Sequence, residues 1–134
     1  MASLEKRFLL GCFTRPFADF TLAEAFAGIA EAGFKYAGLM ASHQKVPSLP
    51  SAGGSLSVAE IRQLAKSASV TLTAIISGRP ASLDEGKRWV EDCQALGISH
   101  MIIINPWPYS QGLDVRRPEA ELRPEEEAYY RLMH

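Results

Sequence analysis

The sequence predicts an α/β protein with a parallel sheet, built from consecutive strand and helix units. Three segments, at 21–24, 57–60 and 82–85, place Ser or Thr three residues before Glu, the pattern of a capping box at a helix N-terminus. Each box opens an amphipathic stretch, and each stretch leads into a short apolar run. Because crossover helices connect parallel neighbours, this alternation indicates parallel strands.

The first unit begins with an apolar run that predicts a strand at 8–13, covered on both faces. A helix is predicted at 22–32, and Gly33 ends it. The next strand is predicted at 36–40, although Gly38 weakens it. The apolar stripe of this helix consists of Leu22, Ala25, Phe26 and Ile29.

The later units repeat this arrangement. A helix at 58–67 leads to a β-branched strand at 70–76. A helix at 83–96, which Gly97 ends, leads to a strand at 99–104. The inward residues predicted for the two helices are Val58, Ile61, Leu64 and Ala68, and then Val90, Cys93 and Leu96.

A fourth helix is predicted from Pro124 towards the end of the chain. Proline suits the first helical turn, and the three glutamates at 125–127 suit the positive end of the helix dipole. The chain ends inside this helix without a stop signal or a following strand. We therefore interpret residues 1–134 as a single partial domain, truncated at its C-terminus. A natural chain that ends in a helix is the alternative.

Composition limits the classes of partner. The 134 residues are 47% apolar and 22% charged, as in ordinary globular domains. A formal net charge of -1 predicts no nucleic-acid partner and no membrane partner. The apolar run near the N-terminus is too short for a signal sequence. Two cysteines without metal-type spacing form no disulfide framework, so we expect a cytoplasmic protein.

The connections between the predicted elements are asymmetric. Links from helix to strand have two or three residues, whereas links from strand to helix are longer, at 14–20, 41–56, 77–81 and 105–123. Long loops at the carboxyl ends of parallel strands commonly carry the ligand. Any binding site is therefore expected at that rim.

Four segments of the sequence resemble a known family. Residues 11–17 (GCFTRPF) resemble the first strand and loop of the sugar phosphate isomerase/epimerase family, the xylose-isomerase-like TIM barrels. Residues 21–25 (TLAEA) and 29–34 (IAEAGF) are similar to its first helix and Gly-Phe exit. Residues 95–106 (ALGISHMIIINP) resemble its fourth strand.

The resemblance implies the first half of a TIM barrel, about four βα units of the eight. It implies the N-terminal half of a metal-dependent isomerase or epimerase that interconverts small sugars or polyols, phosphorylated or not, through an enediolate. A divalent metal (Mn, Mg, Co or Zn) is expected in the full-length protein. Because family members bind it through residues of the later strands, this chain is expected to bind none and to be inactive alone.

Two positions depart from the family pattern. Family members often carry an acidic residue near the end of the second strand, where this chain has Gly38. Many have His-Pro at the end of the fourth strand, where this chain has Asn105-Pro106. Because an amide is a poorer ligand for a transition metal than imidazole, the resemblance implies less about the substrate than it would with the family residues.

Five residues are candidates for the substrate-binding rim. Asn105 and Trp107 follow the fourth strand, where an amide could bind a sugar hydroxyl and a ring could cover its C–H surface. His43 lies in the long loop after the second strand, and Cys12 and Thr14 lie at the end of the first. Each also has a structural interpretation: a packed thiol, a solvated loop histidine, or a ring that covers the core.

Two other arrangements stay open. The chain can be a complete flavodoxin-like sheet that acts as a binding module. Alternatively, a half barrel can pair with itself as a homo-oligomer, or with another chain, because it exposes two unpaired sheet edges and an apolar inner face.

Overall fold

The computed structural model describes residues 9–103. Two short 3-10 helices, Arg15–Phe17 and Pro50–Ala52, lie in the connections. No helix in this range is long and apolar enough to cross a membrane. The main elements in chain order are β1 (Gly11–Phe13), α1 (Leu22–Glu31), β2 (Tyr36–Met40), β3 (Ser42–His43), β4 (Val46–Pro47), α2 (Val58–Ser67), β5 (Thr71–Ser77), α3 (Leu83–Leu96) and β6 (His100–Ile103).

Four strands form one parallel sheet in the order β1-β2-β5-β6. This confirms the prediction of an α/β protein with a parallel sheet. The spatial order follows the chain order, unlike the flavodoxin-like order, in which the first two strands are exchanged. One irregularity interrupts the pairing of β2 with β5, at Ala37/Gly38.

The helices begin where the capping boxes predict. The Thr21 and Ser57 side chains each accept from the amide three residues on, and Glu24 and Glu60 each accept from the N-cap amide. The third box is incomplete, because the Glu85 carboxylate accepts instead from the Ala81 amide. All three helices are therefore held at their N-termini by side chains close in sequence.

A single apolar core joins all three helices to one face of the sheet. From β2 and β5, Ala37, Leu39, Leu72 and Ile75 point into this core. The helices contribute Leu22, Phe26, Ile29, Ile61, Ala65, Trp89, Cys93 and Leu96. In sequence order, α1 contacts α2 and α2 contacts α3, so the helices form a layer beside the sheet.

The opposite face of the sheet carries the alternate residues of the same strands. Phe13 pairs with Gly38 and Gly38 with Ala74, while Ile76 pairs with Ile102 in the next row. A Cβ added at Gly38 would collide with the Phe13 ring, so the aromatic ring covers the glycine. Ile102 is 47% exposed. Among residues 9–103, the helices pack in the core on the other side of the sheet, and none packs against this face.

Several details differ from the sequence predictions. Leu9 and Leu10 are exposed, so the predicted coverage of the first strand on both faces is wrong for them. In α3, Cys93 and Leu96 are buried as predicted, but the third buried residue is Trp89, and the predicted inward residue Val90 is 46% exposed. The predicted loop at 41–56 contains the hairpin of β3 and β4. The helix predicted from position 124 lies outside the described residues.

Candidate functional site

Polar side chains gather at the carboxyl ends of the parallel strands. Thr14 directly follows β1, His43 lies three residues beyond β2, and Ser77 is the last residue of β5. All three are buried, with exposed fractions of 0%, 7% and 2%. Carboxyl ends of parallel strands share one edge of the sheet, so this edge holds the candidate site.

Thr14 and His43 form a direct hydrogen bond across this edge. The Thr14 Oγ1 atom lies 2.7 Å from His43 Nε2. The same Oγ1 accepts from the Met40 amide at 3.0 Å, and the Thr14 amide donates to the Gly38 carbonyl at 2.8 Å. One threonine therefore joins the ends of β1 and β2 to the histidine through both its backbone and its side chain.

The partners of His43 determine which nitrogen carries the proton in the neutral ring. Nδ1 lies 3.3 Å from the carbonyl oxygen of Phe17, which can only accept a hydrogen bond. Nδ1 is therefore the donor, and Nε2 accepts from the hydroxyl of Thr14. Both ring nitrogens are thus engaged by the protein itself.

His43 is held by a tight hairpin. Strands β3 and β4 pair antiparallel around the two-residue turn Gln44-Lys45, with φ values of +48° and +65°. Two central residues with positive φ define a type I′ turn, which usually contains Asn or Gly. Since a left-handed backbone is costly for residues with a Cβ, this turn stores local strain.

The hairpin is bound to the connection between β1 and α1. The Gln44 amide donates to the Ala18 carbonyl at 2.8 Å, and the Gln44 side-chain amide donates to the Asp19 carbonyl at 3.3 Å. Together with the bond from His43 to Phe17, these contacts pair three donors of the hairpin with the carbonyls of three consecutive residues of one loop, 17–19. They offset the strain of the turn and fix the position of His43.

A small cleft lies beside the hairpin. Its volume is about 190 Å³, and its walls include His43, Gln44 and Ser48 of the hairpin region. Thr21 at the start of α1 and Ser55 before α2 complete its polar lining. The cleft therefore has hydroxyl and amide groups among apolar walls, and the His43 nitrogens contact protein atoms rather than the cleft.

Two buried hydroxyls near this edge lack hydrogen-bond partners among the described residues. They belong to Ser48, which lines the cleft, and to Ser77. Buried polar groups are normally paired, so these two atoms mark places where a ligand or water would complete the network. The only sequence signal for these two serines is their place after an apolar or extended segment.

The predicted rim residues have different surroundings. Thr14 and His43 are brought together, but both are enclosed, so the pair contacts other parts of the protein rather than open solvent. Cys12 is half-buried, packs against the core, and donates from Sγ to the Phe13 carbonyl at 3.3 Å. Asn105 and Trp107 lie outside the described residues. Binding of a substrate by these five residues stays a prediction.

The described residues do not fit a metal ion. Between residues 9 and 103, no group of three or more His, Cys, Asp or Glu side chains is arranged to hold one. His43 also lacks a free nitrogen for a metal, because both nitrogens contact protein atoms. No metal-dependent step can be derived from this part of the chain.

The thiol of Cys93 differs from that of a catalytic cysteine. Burial, and then the charge of Asp92, raise the pKa of Cys93 to about 11. A thiol of that kind is protonated at neutral pH and does not act as a nucleophile. This agrees with the predicted packing role of Cys93 on the inward side of α3.

Comparisons of this chain with family models, with curated proteins and with solved structures each found no match.

Proposed function

We propose that this chain forms the first half of a TIM barrel and one wall of the active site of a sugar isomerase or epimerase. The reaction would interconvert small sugars or polyols, phosphorylated or not, through an enediolate. The observation that carries the proposal is the spatial order of the parallel sheet, which follows the chain through β1, β2, β5 and β6. Consecutive parallel neighbours are the repeating pattern of a (β/α) barrel.

The distribution of burial supports the same arrangement. In a closed barrel, one face of the sheet packs against the helices and the other fills the barrel interior. Here one side of the sheet packs against the three helices, while the other side carries Phe13, Ile76 and the half-exposed Ile102. Within residues 9–103 this second face has no helical layer against it, as expected for a face that lines the interior of a barrel.

The position of the polar residues supports a ligand site at the expected edge. Active sites of such barrels lie at the carboxyl ends of the strands. Thr14, His43 and the unpaired hydroxyls of Ser48 and Ser77 all lie there. The role proposed for this chain is to bind and orient a polyhydroxyl substrate, with the hairpin as the fixed element. No proton transfer is assigned to it, because the Thr14–His43 pair is enclosed.

The test uses the polypeptide encoded by the complete gene. It is incubated in D₂O with a panel of ketoses and ketose phosphates and with added Mn²⁺, Mg²⁺, Co²⁺ or Zn²⁺. An enediolate exchanges the proton on the carbon beside the carbonyl, so we expect solvent deuterium in recovered sugar and in product, measured by ¹H NMR. Absence of conversion and exchange for every sugar and metal would refute the proposal.

Two histidines provide a matched pair of variants for this assay. His43→Gln alters the hairpin at the carboxyl edge, whereas His100→Gln alters the amino end of β6. We expect at least a roughly tenfold fall in kcat/KM for the first variant, because about 1.4 kcal/mol of positioning is a factor of ten. The second is expected to keep the activity of the unaltered enzyme.

Pairing of two half barrels is a second candidate, favoured by the sheet face that no helix of the described residues covers. A homodimer would cover the apolar side chains of that face in both copies. Sedimentation of residues 1–134 decides it: a mass twice the 14.7 kDa of one chain supports pairing, and a concentration-independent monomer contradicts it.

A further inference from the structure

An apolar groove runs between α3 and β6 on the helical side of the sheet. Its volume is about 380 Å³. Two of its residues, Leu83 and Val90, are 54% and 46% exposed, although both are large and apolar. Its apolar walls are formed by Pro80, Leu83, Trp89, Val90, Met101 and Ile103.

The groove lies where the layer of helices would continue. α1 contacts α2 and α2 contacts α3, so each helix covers one side of the next. The chain leaves β6 at Ile103, which itself lines the groove. The crossover connections through α1, α2 and α3 all lie on this side of the sheet, so a further crossover of the same hand would place the following segment here too.

The chain beyond β6 contains a segment that matches the groove. Its apolar residues recur with helical spacing, at Ala128, Tyr129, Leu132 and Met133. Its charges complement those of the groove. The three glutamates at 125–127 are opposite in charge to Lys87, and Arg131 is opposite in charge to Glu91. Twenty residues separate Ile103 from this segment, and they reach up to about 66 Å when extended, far more than the 8–10 Å between packed helices.

We propose that residues 124–134 of this chain bind as a helix in the groove between α3 and β6. Leu132 and Met133 would cover Leu83 and Val90, and an acceptor from the segment would satisfy the buried Trp89 Nε1, which has no partner among the described residues. The parallel sheet and the groove alone support this arrangement, whether or not the chain belongs to an isomerase.

Hydrogen exchange of the full chain, followed by mass spectrometry of the 124–134 peptide, tests this inference. We expect exchange at least about tenfold slower than in the same peptide free in solution. Val90→Asp places a charge in the groove, and the protection is expected to be lost. Gln94→Asp, at an exposed position of α3 outside the groove, is the matched control and is expected to keep it.

A second groove variant is needed because Val90→Asp could lose the protection simply by unfolding α3. Leu83→Asp also alters the groove, but Asp is favourable at the first turn of α3, so the helix is retained. Exchange of residues 124–134 at the free-peptide rate in the unaltered chain would overturn the inference. Protection that survives both groove variants would overturn it, as would protection that rises with protein concentration, which would assign the groove to a second copy.

Discussion

The hydroxyl oxygen of Thr14 lies 2.7 Å from Nε2 of His43, and this bond connects residues 29 positions apart in the sequence. Both residues are buried, so water does not compete for the interaction. The bond fixes the hairpin of β3 and β4 over the ends of the first two parallel strands. Its loss would therefore affect stability as well as any ligand bound beside the hairpin.

Thr14→Val is expected to lower the free energy of unfolding by about 2–3 kcal/mol. The substitution keeps the shape of the side chain but leaves His43 Nε2 and the Met40 amide without their buried partner. Urea denaturation followed by circular dichroism measures the change.

Two variants control this measurement. Thr14→Ser retains the hydroxyl and removes one methyl, so a loss of about 1 kcal/mol is expected. Thr71→Val changes an exposed strand residue and should stay within about 0.5 kcal/mol of the unaltered chain. Equal losses for Thr14→Val and Thr71→Val would show that the hydrogen bond does not stabilise the fold.

Gly38→Ala is expected to destabilise the protein by about 1–3 kcal/mol, because the added methyl collides with the Phe13 ring. Thermal unfolding measures the loss. Gly78→Ala is the matched control, since nothing lies near the Cβ position of Gly78. Combining Gly38→Ala with Phe13→Leu should recover part of the loss attributed to the collision. Strict additivity of the two changes would contradict the contact between these residues.

The sequence predicted the helices well because their signals are local. The bounds of α2 and α3 agree with the predicted ranges, and capping residues with a glycine stop define α3 at both ends. Val90 was wrongly predicted to face inward because the predicted residues 90, 93 and 96 are spaced by three, which is not the period of an α-helix. Trp89, Cys93 and Leu96 follow spacings of four and three and stay on one stripe, whereas repeated spacings of three drift around the helix.

The candidate site was less predictable because it depends on tertiary contacts. His43 was expected in a loop, since the turn Gln44-Lys45 lacks the Asn-Gly signal of a type I′ hairpin. Thr14 and His43 lie far apart in the sequence, and nothing in it indicates that they touch. In the sequence Gly38 only weakens a predicted strand, whereas in the structure a glycine is required there by the close approach of the Phe13 ring.

Acid titration should detect the capping box of α1. Hydrogen bonds from the Thr21 hydroxyl, and then from its backbone amide, lower the pKa of Glu24 below 4.5. A carboxylate with a lowered pKa in the folded state stabilises the fold above the unfolded value near 4.5, and this contribution is lost as pH falls through the folded value. In Thr21→Ala, the pKa of Glu24 should rise towards 4.5, as measured by ¹³C NMR of the carboxyl carbon.

The second helix supplies an internal control for this titration. Hydrogen bonds from the Ser57 hydroxyl and amide lower the pKa of Glu60 in the same way. That pKa should be unchanged in Thr21→Ala. A Glu24 pKa that stays low in this variant would show that the box is not its cause.

Cys93 should resist alkylation in the folded protein. Its pKa of about 11, raised by burial and by Asp92, leaves about a thousandth of the thiol as thiolate at pH 8. In a Cys12→Ser background, we expect iodoacetamide to react with Cys93 more than about 100-fold faster in 8 M urea, since an unfolded thiol has a pKa near 8.5. Similar rates in both states would contradict the packed position of Cys93.

A crystal structure of the polypeptide encoded by the complete gene tests the proposed half barrel most directly. The expected result is a closed cylinder: the free edges of β1 and β6 each gain a parallel neighbour, and Phe13, Ile76 and Ile102 point into its interior. An open sheet with a second layer of helices against Phe13 and Ile102 would contradict it.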